Sequence, residues 1–169
     1  EGNRQTYLTL LDGVSILRDE LNKFFPDLDI EVISNPVSNN FYNKNEFRDI
    51  DIIFVGELRS VKRFNETISS LIEIIHKFHL KVYIIGEGPE RCNLEYLIDI
   101  HNLRDNVVIL GCANRGQVAS YMNRSRYLIL NSLYETFGVV AIEAIACGCI
   151  PIVNESCGVQ DVLSTYGVG

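Results

Sequence analysis

The sequence predicts an α/β fold, a parallel sheet with helices on both faces. Three observations predict it. Short apolar runs at 51–55, 81–85, 106–110, 126–130 and 150–153 have the length and β-branched content of buried strands. Segments with apolar residues at helical spacing separate them. Gly56, Gly86 and Gly111 close the first three runs, and Asn131-Ser132 follows the fourth. Such alternation makes βαβ units, whose crossovers give a parallel sheet. Ligands of such sheets bind beyond the carboxyl ends of the strands.

The run 51–55 leads into a helix over 63–78, whose Phe64, Ile68, Leu71, Ile72, Ile75 and Phe78 share one face. After the strand 81–85, Gly86-Glu87-Gly88-Pro89 turns the chain into a helix over 91–101. This turn is no dinucleotide fingerprint, because Arg91 occupies the third glycine position, and it reads as a turn more than as a contact. Past the strand 106–110, Asn114 and Gln117 stand at capping-box spacing before a helix with Val118, Tyr121 and Met122. The strand 126–130, a loop over 131–137, a helix over 138–147 and the strand 150–153 follow, and a last helix starts over 160–164.

The first part of the chain reads differently. Residues 7–14 suggest a strand, 15–25 a helix and 30–33 another strand. The polar, Asn-rich stretch from Ser38 to Arg48 reads as a linker or long loop. The expected organisation is therefore 1–37 as the remainder of a preceding domain leading into the linker, 38–50 as linker, and 51–169 as the main domain.

The totals narrow the function classes. With 169 residues, 47% hydrophobic and 22% charged, the chain can bury one sizeable core. A net charge of -7 argues against nucleic acid as partner, since phosphate-backbone binding needs a basic face. The 5 cysteines show no C-x-x-C pair and read as free, mostly buried thiols of a reducing cytosol rather than metal ligands. No apolar run approaches membrane-spanning length, and the first residues, EGNRQTYL, lack a signal peptide's pattern. His76, His79 and His101 lie on or just after helices, where surface or packing roles suit them. Tyr121 and Tyr134 suit either core or rim.

The corner Tyr134-Glu135-Thr136-Phe137-Gly138-Val139-Val140-Ala141-Ile142-Glu143-Ala144 holds the most chemistry. Taken alone, Glu143 is a solvated helix acid and Glu135 an acid favoured by the helix dipole. The alternative is a ligand site. The first turn of the helix has amides without intrahelical partners, and Gly138 leaves room for close approach. Phe137, Val139 and Val140 add no competing anion, so the helix mouth suits a phosphate or diphosphate. Glu143, one to two turns in, has the geometry to accept both hydroxyls of a ribose diol, while Glu135 flanks the other end. Arg59, Lys62 and Arg63 follow Gly56 near a helix start, where cations are unfavourable unless an anion compensates them.

Together these residues resemble the donor-binding half of a GT-B glycosyltransferase of family 4 (group 1). Glu135-Thr136-Phe137-Gly138-Val139-Val140-Ala141-Ile142-Glu143-Ala144 is similar to that family's E-G-F-G-x-x-x-x-E-A, and Ala146 to Val153 to its A-x-G-x-P-V-V. Gly56, Leu58 and Lys62 match G-R-L-x-x-x-K-G. The G-x-G-P turn stands at 86–89, and I-P-N-G-V-D is loosely echoed from Ile33 to Ser38.

The resemblance covers about residues 12–169 and implies a Rossmann-like domain, the C-terminal half of a GT-B fold, that binds a UDP- or GDP-sugar. It implies Lys62 on the donor phosphates, the amides of Phe137, Gly138, Val139 and Val140 on the diphosphate, Glu143 on ribose and Glu135 on the transferred hexose. Gly56 and Arg59 fall in the phosphate loop, and Gly111 and Cys112 where the base-contacting loop begins. Glu135 and Lys62 would be the catalytic pair. Also implied are retention of anomeric configuration, no metal and no cofactor beyond the donor.

The expected acceptor is a glycan or a lipid-linked sugar, bound through a largely missing N-terminal domain. That points to a cytoplasmic enzyme of polysaccharide synthesis, with peripheral association at the inner membrane face. On this reading the chain is a piece of a longer enzyme, truncated near residue 169 and inactive alone. Glu57 in place of the family arginine, Thr136 in place of a glycine and Asn131 in place of a frequent proline depart from the pattern. The alternatives are a GT-B sugar-nucleotide epimerase and a non-catalytic sugar-nucleotide-binding module.

Overall fold

The computed structural model describes residues 6–9, 23, 24, 26, 30–33, 37–135, 138–155 and 157. The helix expected over 160–164, most of that over 15–25, and Phe137 lie outside the described residues. Near the start of the chain, β1 (Thr6–Thr9) pairs in parallel with β2 (Ile30–Ile33) as a two-stranded sheet.

The main sheet has five parallel strands in the order β5-β4-β3-β6-β7. They are β3 (Ile50–Val55), β4 (Val82–Ile85), β5 (Val107–Gly111), β6 (Ser125–Leu130) and β7 (Ile150–Val153). The expected Rossmann-like architecture is therefore present, with strand ends within a residue of those read from the sequence. Four helices connect them: α1 (Phe64–Phe78), α2 (Arg91–Ile100), α3 (Arg115–Arg124) and α4 (Val139–Ala146). Among the described residues no helix is long and apolar enough to cross a membrane.

The central strands are apolar on both faces because each face carries its own core, whereas the edge strand β7 leaves Ile150 and Ile152 exposed. On β3, Ile52 and Phe54 face Leu58, Phe64, Ile68 and Ile75 from the α1 side and Leu94 and Ile98 from α2. Ile53, between them, joins the opposite cluster with Val118 and Met122 of α3 and Ala141 and Ala144 of α4. The period-2 alternation is thus hidden in the sequence, since both phases are hydrophobic. Cys147 and Cys149 are buried in the second cluster, and burial pushes the Cys149 thiol up to about 12. Cys157 is buried too and Cys92 and Cys112 are exposed, so the cysteines are free thiols and mostly buried, as expected. Tyr121 belongs to the core side, 5.8 Å from the Tyr83 ring, and Tyr134 is exposed on the rim.

The predicted linker has no regular structure over 37–49, yet it is strapped to the domain. Phe41 is buried in the α3/α4 core. The buried Asn123 side chain donates to the carbonyls of Tyr42 and Ala119, at 3.0 and 2.9 Å, and accepts from the Lys44 amide at 2.7 Å. Arg124 clasps Asp49 with bonds of 2.8 and 2.6 Å. The irregular stretch expected as a linker or long loop is thus packed on the domain as a strap.

The strand order also locates the crevice. From β3 the chain winds outward through β4 to β5, then returns across β3 to lay down β6 and β7. Beyond β3 and β6 the connections leave in opposite directions, and this switch point is where open α/β sheets bind ligands.

Candidate functional site

A cleft of about 320 Å³ opens at that switch point. Its walls are Val55, Gly56 and Glu57 from the end of β3, Lys62 from the following turn, Glu135 from the loop after β6, and Gly138, Val139, Val140 and Glu143 from α4. Seven residues singled out from the sequence thus converge: Gly56, Lys62, Glu135, Gly138, Val139, Val140 and Glu143.

Lys62 is delivered by a 3₁₀ turn over Ser60–Lys62, which ends where Arg63 takes the left-handed conformation at φ 54°. The Leu133 amide donates to the Val61 carbonyl at 2.8 Å, stitching this turn to the loop after β6. Asn131 reinforces the seam. It donates to Thr67 Oγ1 of α1 at 3.0 Å, and Asn154 donates to the Ser132 carbonyl at 2.7 Å. A side chain that only departed from a family proline in the sequence thus has a structural task here. Across the seam Lys62 Nζ donates to Glu135 Oε2 in a part-buried ion pair. The Glu135 backbone forms a parallel bridge with Cys157.

Gly138 begins α4 at φ 72°, the left-handed region that only glycine enters at little cost. A side chain there would start 2.8 Å from Cys157 Sγ and 3.1 Å from Leu130 Cδ2. Its smallness therefore serves the packing of the corner as well as the cleft that it lines. The Ala141 amide donates to the Gly138 carbonyl at 2.8 Å, which leaves the amides of Val139 and Val140 at the open mouth of the helix. Glu143 is half-buried, and burial raises its pKa from the usual glutamate value, an effect that the charge of Arg115 partly opposes. Among the described residues no side chain hydrogen-bonds its carboxylate.

A second slot, also about 320 Å³, shares Val55, Gly56 and Glu57 with the first. Ile85, Gly86, Glu87, Cys112, Ala113 and Val118 complete it. The two form one run along the strand ends, charged at α4 and mostly apolar at β4 and β5. Cys112 is thus brought to the site, while Gly111 lies buried behind it and accepts from the Gly86 amide at 2.9 Å. Gly86 and Glu87, read as a mere turn, line the slot. Ala113 and Val118 were missed, although their place just after the β5 end was a usable signal.

Arg59 is not drawn in. It is exposed and sits 3.6 Å from Glu57, which takes the cleft position itself. His76, the histidine with a defined contact, bonds the His101 carbonyl at 3.0 Å. A larger groove of about 420 Å³ follows the β5 edge. Its Arg91 is held between Glu87 and Glu95 and its Arg104 by Asp99, and it is not at the switch point. Among the described residues no group of three His, Cys, Asp or Glu side chains could hold a metal ion.

Comparison with known proteins adds lineage to this geometry. The family described as "Glycosyl transferases group 1" matches residues 38–169. The chain is 27% identical over 155 residues to the N-acetyl-alpha-D-glucosaminyl L-malate synthase of Bacillus anthracis, covering 85% of this chain and 40% of that protein. It is 35% identical over 108 residues to the phosphatidylinositol N-acetylglucosaminyltransferase gpi3 subunit of Schizosaccharomyces pombe, covering 61% of this chain and 24% of the relative. The chain therefore spans well under half of these relatives. Among solved structures, WaaG, a glycosyltransferase involved in lipopolysaccharide biosynthesis, superposes with a TM-score of 0.72 at 16% identity, over 95% of this chain and 47% of WaaG. The pneumococcal O-GlcNAc transferase GtfA, in complex with UDP and GlcNAc, gives 0.69 at 17% identity, over 88% of this chain and 30% of GtfA. These likenesses identify the fold as that of GT-B C-terminal domains. By the match over 38–169, this chain belongs to the group 1 glycosyl transferases.

Proposed function

We propose that the chain is the donor-binding part of a retaining glycosyltransferase that moves a hexose from a nucleoside diphosphate sugar to a glycan or lipid-linked acceptor. The convergence of Lys62, Glu135, Glu143 and the α4 mouth on one cleft at the switch point supports this reading. The amides of Val139 and Val140 and the Lys62 ammonium hold the diphosphate. Glu143 accepts the ribose hydroxyls, and Glu135 those of the hexose. The base lies in the apolar slot, between Ile85 and Val118 and over Cys112. As the bond from sugar to diphosphate breaks, charge builds on the leaving oxygen, and the helix amides and the Lys62 recruited to the diphosphate stabilise it, which lowers the barrier. The acceptor binds to a preceding domain, with the full-length protein resting on a membrane surface when its acceptor is lipid-linked.

Calorimetric titration with UDP-GlcNAc and GDP-mannose tests this. Charge-assisted hydrogen bonds are worth about 1.5–3 kcal/mol, so Lys62→Ala should weaken donor binding on the order of 10- to 100-fold, and Glu143→Ala by a similar factor. Absence of binding to either donor would count against the reading.

A further inference from the structure

We infer that the Lys62–Glu135 ion pair makes the cleft prefer an intact sugar nucleotide over the free nucleoside diphosphate, and so helps to expel the product. The inference rests on the donor-binding reading above. In the cleft the Lys62 ammonium donates to Glu135. Both side chains are largely enclosed, at 23% and 16% exposure, so the bond is not one that solvent readily replaces. Among the described residues Lys62 is the one cation lining this cleft, against the carboxylates of Glu57, Glu135 and Glu143. A diphosphate that recruits the Lys62 ammonium competes with Glu135 for it, and Glu135 is then left as an enclosed anion with a weakened partner, which is costly.

The two nucleotides differ in what they offer Glu135 in return. A donor places sugar hydroxyls beside it, and these donate the hydrogen bonds that Lys62 has withdrawn. A nucleoside diphosphate offers none. Transfer breaks the bond from sugar C1 to the diphosphate oxygen and leaves its electron pair there. The glycosyl group passes to the acceptor oxygen, and the acceptor proton is released. The terminal phosphate so formed titrates near pH 6, so at neutral pH the product carries close to one more negative charge than the donor. That charge faces the carboxylate of Glu135. Loss of the sugar thus removes its donors and adds repulsion in one step, and Lys62 returns to Glu135 as the product leaves.

The test is a ratio, which makes it independent of absolute affinity. UDP and UDP-GlcNAc, and in parallel GDP and GDP-mannose, are titrated into the wild-type protein, Glu135→Gln and Glu135→Ala. Melting curves confirm that the variants are folded, and the near-isosteric glutamine guards against loss of structure in the alanine variant. Removing the carboxylate should strengthen UDP binding several-fold and weaken UDP-GlcNAc binding, whose hexose loses its anionic acceptor. The affinity ratio of diphosphate to sugar nucleotide then rises at least fivefold. Equal shifts for both ligands, or weaker UDP binding in Glu135→Gln, overturn the inference while leaving the donor site intact. Failure of every nucleotide to bind any of the proteins overturns the donor-binding reading, and the inference with it.

Discussion

The two ends of α4 are handled in opposite ways. At its carboxyl end Arg48 donates to the Cys147 carbonyl at 3.1 Å and to the Ser125 carbonyl, so a cation of the strap caps the negative end of the helix dipole. Around it Asn123 and the Asp49–Arg124 pair complete their hydrogen bonds within the chain. At the amino end nothing comparable closes the helix among the described residues. Gly138 contributes no capping side chain, Val139 and Val140 line the cleft, and Glu143 stays partly buried without a side-chain hydrogen bond among the described residues. One end fixes the helix, and the other keeps the polar groups that a ligand would satisfy. Stability should therefore respond to the strap, and binding to the mouth.

The strongest way to break this contrast is Asn123→Ala. It removes three hydrogen bonds at a fully buried site and orphans groups of the strap. The expected loss is about 3 kcal/mol, read by urea denaturation, with donor affinity at low temperature little changed. Asp49→Asn should cost less, about 0.5–1 kcal/mol at neutral pH. The hydrogen bond from Arg124 holds the Asp49 carboxyl below the usual aspartate range, more strongly than burial raises it. The folded state thus favours the charged form, so this stabilisation is full above the ordinary aspartate value and fades as pH falls through the lowered one. Wild type and variant should converge in acid.

Glu143→Gln sharpens the contrast from the other side, with the smallest effect. Because burial raises the Glu143 pKa, folding favours its protonated form. Stability then declines as pH climbs from the ordinary glutamate value through the raised one, and the cost persists above it. The glutamine variant should melt about a degree or two higher at neutral pH, a few tenths of a kcal/mol after solvent screening. Below the ordinary glutamate range it should show no gain. A stabilised variant that binds donor less well would mark Glu143 as a residue kept for the ligand.

The sheet was legible because each strand is a short apolar run stopped by a turn residue, and the Asn114/Gln117 capping box forms as its spacing implied. The α4 corner was legible because two acids and a glycine keep fixed places on one strand-to-helix connection. What the sequence hid depends on residues far apart in the chain. Asn123 reaches Lys44 across 79 positions, and Lys62 reaches Glu135 across 73. No local pattern announces such pairs. Arg59 was drawn toward the phosphates by its spacing alone, and Glu57 beside it accounts for its place outside the cleft. Gly138 lines the cleft as expected, and its second task, packing against Cys157, depends on a residue beyond β7 that no local pattern announces.

The most direct test is a crystal structure of the protein with a bound nucleoside diphosphate. The account predicts phosphate oxygens within hydrogen-bond distance of the Val139 and Val140 amides and of Lys62 Nζ, with the ribose hydroxyls on Glu143 and the base in the slot beside Cys112. A nucleotide seated in the groove along β5 by Arg91 and Arg104, with the α4 mouth untouched, would contradict it.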